Sequence, residues 1–194
     1  MAYEYDIFLS YPRSGQVGQW VHNHFLPVLR DCLDVQLAEV PRIFVDTAQP
    51  TGVEWPENIM EALLRSRLLV AVWTPPFFRS LWCTAEWASM LEREKLLAVS
   101  GRKPHRGLVY PVVYSDGKYF DPRANVTQAR DLTAYTYPYP GFRESAAFLK
   151  FHDVVMSIAE EIGRHLEEIP DWEPDWPIIK PRPTSAPAIG LASL

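Results

Sequence analysis

The sequence predicts an α/β protein with a parallel sheet that is covered by helices on both faces. Short apolar runs alternate with stretches of helical periodicity, the pattern of repeated strand–helix units. Residues 68–73 are apolar at every position, as in a parallel strand buried on both faces. Polar side chains follow the first three apolar runs, and the carboxyl ends of parallel strands meet at one edge of the sheet.

The first strand is predicted over residues 5–11, and Pro12 with Gly15 ends it. The next helix is indicated by apolar residues at helical spacing: Val17, Trp20, Phe25, Val28, Leu29 and Cys32. A second strand covers residues 42–46, and a loop over residues 47–54 follows it.

The second helix is expected to begin near Pro56, because proline is tolerated in the first turn of a helix. Its buried side is marked by Ile59, Ala62, Leu63 and Ser66. Thr74 ends the third strand, which covers residues 68–73. The helix that carries Trp82 is then expected to run to about Leu97.

The fourth strand is predicted over residues 108–114, where Pro111 lacks an amide donor and indicates an edge position or a bulge. No element is predicted up to residue 130, and a short strand is expected over residues 132–137. The last helix is the most regular, with apolar positions at Phe148, Phe151, Val155, Ile158, Ile162 and Leu166.

The composition changes after residue 169, which predicts a domain over residues 1–169 and a tail over residues 170–194. The tail holds six prolines and ends in small residues, as an extended linker does. Trp172 and Trp176 leave open the alternative that the tail docks on the domain as far as about Ile179.

Composition and charge exclude several classes of protein. A net charge of −5 argues against a general nucleic-acid binder, and the basic residues 102–106 are interpreted as a solvated loop. The start lacks the pattern of a signal peptide and no apolar run is long enough for a membrane span, so we expect a cytoplasmic protein without membrane contact. Cys32 and Cys83 show no metal-ligand spacing. Neither do the histidines, which receive no role: His22, His24, His105, His152 and His165.

A binding site is predicted where the first three strands end. The polar and aromatic residues expected there are Ser10, Tyr11, Arg13, Asp46, Trp82 and Glu86. Carboxylates, a guanidinium and aromatic rings suit a polar ligand that has a ring and phosphates. The sequence has neither the glycine fingerprint of the usual dinucleotide fold nor a P-loop.

Trp82 and Glu86 are four residues apart, which places them one turn apart on one helix face. On a helix whose core side holds Cys83 and Trp87, Glu86 is expected to be partly buried at the rim of a crevice. Position alone leaves two readings for Glu86, a solvated surface carboxylate or a functional group. Trp82 can likewise stack on a ligand or pack against the helix.

These residues, in this order, resemble a Toll/interleukin-1 receptor (TIR) domain. The similar segments are YDIFLSY at residues 5–11, IFVD at 43–46 with its following loop, SRLLV at 66–70, and the Ser-x-Trp-Cys-x-x-Glu motif at 80–86. The resemblance covers about residues 3–168. It implies a flavodoxin-like three-layer α/β fold with a five-stranded parallel sheet in the order 2-1-3-4-5.

The resemblance also implies an activity, because catalytic TIR domains, prokaryotic ones among them, cleave the bond between nicotinamide and ribose in NAD. Glu86 matches their catalytic glutamate, and Trp82 matches the aromatic residue beside it. Substrate contacts are then expected from Ser10, Tyr11, Arg13 and Asp46, although Arg13 can be an ordinary loop arginine and Asp46 a turn cap. NAD would be the substrate, with no cofactor and no metal.

Self-assembly is implied as well, since TIR domains pack head to tail through the BB loop, here with Pro50, Gly52 and Trp55. Such a contact produces filaments rather than closed dimers. The leading hypothesis is an NAD-consuming enzyme in immune or antiviral defence signalling, joined through its tail to a sensor domain or protein. The alternatives are a non-catalytic scaffold that acts by TIR–TIR association, and an enzyme for another nucleotide or nucleoside.

Overall fold

A five-stranded parallel sheet in the order β2-β1-β3-β4-β5 forms the centre of the protein in a computed structural model. The structure describes residues 2–46, 57–115 and 117–181. The strands are β1 (Tyr5–Ser10), β2 (Ile43–Val45), β3 (Ser66–Trp73), β4 (Val109–Val113) and β5 (Arg130–Asp131). The predicted fold class and strand order are confirmed.

Helices cover both faces of this sheet. The described α-helices are α1 (Gly15–Trp20), α2 (Leu26–Gln36), α3 (Glu57–Leu64), α4 (Pro75–Arg79), α5 (Leu81–Val99) and α6 (Ala146–Glu168). A π-helical turn over Val21–Phe25 joins α1 to α2. Short 3-10 turns occupy Gly117–Tyr119, Pro122–Val126, Thr133–Tyr135 and Pro140–Glu144. No helix in the described ranges is long and apolar enough to cross a bilayer.

The aromatic residues show which helix lies on which face. Trp73 on β3 packs edge-on against Trp87 of α5, with ring centroids 5.9 Å apart. Tyr114, just after β4, points to the opposite face and packs at 5.1 Å against Trp20, which also contacts Phe151 of α6. The sheet is therefore a middle layer between α5 on one side and α1 with α6 on the other.

The central position of β3 explains why its sequence is so apolar. Residues 68–73 are at most 1% exposed, because β1 and β4 flank the strand and helices cover both of its faces. Ser66 was predicted to mark the buried side of the preceding helix, and that prediction is wrong. It is the first residue of β3, and its hydroxyl donates to the carbonyl of Ala62.

The last strand lies earlier in the chain than predicted. A strand was expected over residues 132–137, but β5 ends at Asp131. The Asp131 carboxylate accepts from the N–H of Thr133 at 2.8 Å and so favours the 3-10 turn that follows. Leu132 is fully buried and supplied the apolar signal, but it lies in the turn after the strand.

Pro111 does not mark an edge strand, since β4 lies between β3 and β5. Leu108 and Tyr114 form backbone hydrogen bonds to β3, whereas the carbonyl of Val113 accepts from Leu132 on the other side. Because alternate residues of a strand point in opposite directions, the ring nitrogen of Pro111 faces the β5 side. The pairing with β5 begins only at Val112, so the missing donor costs no ladder bond.

Arg93 of α5 is fully buried and serves as a polar link between elements. Its guanidinium donates to the backbone carbonyls of Ser66, Leu63 and Leu64, at 2.9, 3.2 and 3.5 Å. No carboxylate in the described parts of the chain forms an ion pair with it. These bonds attach α5 to the end of α3 and the start of β3.

We expect Arg93→Met to lower the free energy of unfolding by about 2–4 kcal/mol, because buried carbonyls would lose their donors. Urea denaturation at pH 7 measures this, with Arg102→Met as the matched control. Arg102 is exposed and pairs with Glu173, so its loss should cost less than about 1 kcal/mol. Equal effects of the two substitutions would contradict the linking role of Arg93.

Candidate functional site

A cleft of about 320 Å³ lies beyond the carboxyl ends of β1 and β2, beside the start of α5. It is lined by Phe8, Leu9, Ser10, Tyr11, Pro12, Arg13, Ser14, Asp46, Ser80, Trp82, Cys83 and Glu86. All six residues predicted to contact a substrate or to act in catalysis are in this set. Two larger hollows, of about 630 and 590 Å³, lie elsewhere on the surface and contain none of them.

Local capping brings the first turn of α5 to this edge. Thr74, at the end of β3, caps α4 by accepting from the N–H of Phe77. Ser80 then caps α5, and its hydroxyl accepts from the N–H of Cys83 at 3.3 Å. The sequence carries this signal as a serine two residues before Trp82. The cleft therefore adjoins the positive end of a 19-residue helix.

Glu86 lies deeper than the sequence predicted. It was expected to be partly buried at the rim of a crevice, but it is only 4% exposed. The Ser10 hydroxyl donates to its Oε2 atom at 2.5 Å. Helical spacing cannot reveal this depth, because the cover over this side of α5 comes from the end of β1, which is remote in sequence.

Burial raises the pKa of the Glu86 carboxyl to about 7. The hydrogen bond from Ser10 and the charge of Arg13 act in the other direction, since both stabilise the ionised form. Asp46 adds a smaller effect that again raises the pKa. At neutral pH the carboxyl group is consequently divided between its protonated and ionised forms.

Arg13 and Asp46 form an ion pair at the mouth of the cleft. The pair joins the loop after β1 to the end of β2, and Asp46 is nearly buried. Gly18 leaves room for the backbone of Arg13, because a Cβ atom at this position would lie 2.0 Å from the Arg13 carbonyl oxygen. The sequence predicted both charged residues but neither their pairing nor Gly18, for which a glycine inside a helical pattern was the available signal.

Three further side chains shape the walls. Tyr11 is buried, and its hydroxyl is hydrogen-bonded to Nε2 of His22 at 2.8 Å, so His22, which received no role from sequence, positions Tyr11. Trp82 is half-buried against the core. Burial, with a smaller contribution from Glu86, raises the pKa of the Cys83 thiol to about 12, so Cys83 is not an activated nucleophile.

The loop predicted for self-association and the question of a metal site stand apart from the cleft. The residues predicted for self-association, Pro50, Gly52 and Trp55, lie outside the described residues. Among the residues that are described, no group of three or more His, Cys, Asp or Glu side chains is arranged to hold a metal ion.

Comparisons with known proteins identify related domains. A family model described as the TIR domain matches residues 7–137, a range that contains every cleft residue. The chain is similar to the TIR domain of the Toll-related receptor TRR-2 from Hydra magnipapillata, with 19% identity over 77% of this chain and 98% of that chain, and a TM-score of 0.48. It is also similar to the TIR domains of the activated Roq1 resistosome, which directly recognises the pathogen effector XopQ, with 20% identity over 84% of each chain and a TM-score of 0.38. No curated protein matches this chain.

Glu86→Gln should stabilise the fold at neutral and alkaline pH. The pKa of Glu86 is higher in the folded chain than its ordinary value of 4.5, so ionisation opposes folding as the pH rises from about 4.5 through about 7. Glutamine does not ionise, and we expect it to gain about 1–3 kcal/mol at pH 8 relative to pH 4.5. Chemical denaturation across this pH range measures the difference. A gain that does not depend on pH would contradict the raised pKa.

Proposed function

Because this chain belongs to the TIR domain family, we propose that it is an NAD glycohydrolase that releases nicotinamide and uses Glu86 as its catalytic carboxylate. Membership of the family associates the chain with signalling and immunity, and the enzymatic step is the part proposed here. The observation that carries the proposal is a nearly buried carboxylate, with a pKa of about 7, that lines a cleft at the binding edge of the sheet.

The chemistry explains why one carboxylate suffices. When the bond between nicotinamide and ribose breaks, its electron pair leaves with nicotinamide and the ribose gains oxocarbenium character. An ionised carboxylate offsets that positive charge and accepts hydrogen bonds from ribose hydroxyls. Attack by water then gives ADP-ribose and a proton, whereas attack by a group of the same substrate gives a cyclic product. The cleft offers a carboxylate where little water competes for it.

The neighbours of Glu86 have separate roles in this proposal. Ser10 donates to Oε2, which holds the carboxylate and leaves Oε1 for the ribose. Trp82 offers a flat, half-buried ring for stacking on the nicotinamide. Arg13, paired with Asp46 at the mouth, supplies a guanidinium for the pyrophosphate, and Tyr11 forms part of the wall.

The size of the cleft fits part of the substrate. Its volume of about 320 Å³ is at the lower end of the usual range for small-molecule pockets. In our proposal the nicotinamide and its ribose occupy the cleft, and the pyrophosphate and adenosine extend across the mouth. A neighbouring copy would then complete the site, through the assembly predicted for the loop with Pro50, Gly52 and Trp55.

A scaffold that acts only by TIR–TIR association is the second candidate, in which the loop and not the cleft carries the function. A half-buried Trp82 that packs on the core favours it, since such a ring need not bind a ligand. Attachment of a sensor through the tail, and a role in antiviral defence, fit either candidate.

The first activity test compares wild-type protein, Glu86→Gln and Glu92→Gln under forced clustering, with release of nicotinamide from NAD as the measurement. We expect Glu86→Gln to lose about 10²-fold or more of the rate, because it cannot offset the developing charge. Glu92 lies on the same helix, is partly exposed and pairs with Lys95, so its substitution should leave the rate unchanged. If the clustered wild-type protein releases no nicotinamide, the enzymatic proposal fails and the scaffold function remains as the candidate. A Glu86→Gln variant as fast as the wild type would refute the assignment of Glu86.

The second test uses pH. Only ionised Glu86 supports the proposed step, so kcat/KM should fall as the pH drops through about 7. Ser10→Ala removes a hydrogen bond that stabilises the ionised form, and the acid limb of the profile should therefore move to higher pH. Ser14→Ala, at the exposed side of the cleft, should leave the limb in place. A limb that stays where it is in Ser10→Ala would contradict the role of this bond.

A further inference from the structure

The last described residues, 170–181, lie across the domain, and we call this segment the strap. Trp172 donates through its indole nitrogen to the carbonyl of Leu64, at the end of α3, at 3.2 Å. Trp176 is only 6% exposed. The strap lies outside residues 7–137, the range that matches the TIR family.

The strap contacts α5 at two positions that are one turn apart. The Trp176 ring stacks on the guanidinium of Arg93, with 5.2 Å between the ring centroid and Cζ. Three residues later, the backbone N–H of Ile179 donates to the Ser89 hydroxyl at 2.8 Å. The strap therefore runs along α5 from Arg93 toward the end of the helix that holds Glu86.

Glu86, Ser89 and Arg93 form a buried polar stripe on α5. They are separated by three and four residues, which places them along one side of the helix, and they are 4%, 0% and 0% exposed. Burial of polar side chains gives little of the hydrophobic stabilisation that normally holds a helix against a sheet. This side of α5 depends on specific contacts, and the strap supplies two of them.

The sequence of the strap suits a segment that binds in an extended form. It repeats Pro-Asp-Trp at residues 170–172 and 174–176. The prolines restrict the undocked segment and so reduce the entropy lost on docking. Glu173 pairs with Arg102, but Arg102 is exposed and Glu173 partly exposed, so the pair contributes little. The strap is held by its two indoles, by the Ile179 N–H, and by a hydrogen bond that the Tyr3 hydroxyl donates to the carbonyl of Pro170 at 3.1 Å.

We propose that the strap is a positioning element of the cleft: through Ser89 and Arg93 it fixes where α5 presents Glu86. Trp176 and Ile179 act through the helix and touch no substrate. The inference rests on the proposed function in so far as Glu86 is catalytic, whereas the hold of the strap on α5 is independent of it.

Amide hydrogen exchange on the full chain tests that hold without any need for activity. Trp176→Ala should accelerate exchange of the amides over residues 86–93 by about tenfold, with β1 and β3 unchanged, because the loosening is local. Trp176→Phe keeps an aromatic ring on Arg93 and should restore the protection. Tyr119→Ala, which removes an exposed aromatic side chain, is the control. Unchanged exchange in α5, or equal acceleration in every element, would overturn the proposal.

The activity arm uses the milder variant Ser89→Ala, which removes the acceptor for Ile179 and leaves a good helix former. We expect kcat for nicotinamide release to fall several-fold with KM within about twofold, since Glu86 is displaced while the other cleft walls stay. Wild-type kcat in both Ser89→Ala and Trp176→Ala would refute the positioning role. If no clustered protein releases nicotinamide, the proposed function fails, and the exchange measurement alone decides the hold on α5.

Discussion

The hydrogen bond between Ser10 and Glu86 joins the end of β1 to the second turn of α5, and the rest of the candidate site is arranged around it. Taking a carboxyl group out of water penalises its ionised form, and a single hydroxyl donor offsets only part of that penalty. The fold tolerates the remaining cost because β1 and β3 are held by an apolar core on both faces of the sheet. The stability of the sheet therefore offsets the cost of burying the Glu86 carboxyl group.

The charged groups of the cleft are also arranged around Glu86. Arg13 and Asp46 neutralise each other at the mouth, so an ionised Glu86 is the charge that the deeper part of the cleft retains. A cation, or a group that becomes positive during reaction, complements such a site better than an anion does. The Arg13 guanidinium still lies close enough to lower the pKa of Glu86, which couples the mouth to the deeper carboxyl group. A ligand that drew Arg13 away from this position would favour the protonated form of Glu86.

Features that depend on local pattern could be predicted from the sequence. The apolar run of β3 and the polar residues at the ends of β1 and β2 led to the sheet and to one edge of it, and all six predicted cleft residues meet there. The failures concern contacts between distant parts of the chain. The depth of Glu86 depends on Ser10, 76 residues away, and the pairing side of Pro111 depends on where β5 begins. The displaced strand has a local cause instead: Leu132 is buried as its apolar character indicates, but the carboxylate of Asp131 beside it favours a turn.

The polar stripe of α5 determines the position of this helix through hydrogen bonds. A helix with an apolar side is held by that side alone, and its position tolerates many sequences. On α5, polar side chains replace part of this apolar packing. Glu86 bonds to Ser10, Ser89 to the strap, and Arg93 to the junction of α3 and β3. Such bonds have narrow distance requirements, so they determine the position of the helix more sharply than apolar packing does. In the proposed function Glu86 must meet the ribose, and the polar stripe on the buried side of α5 supplies the precision that this contact requires.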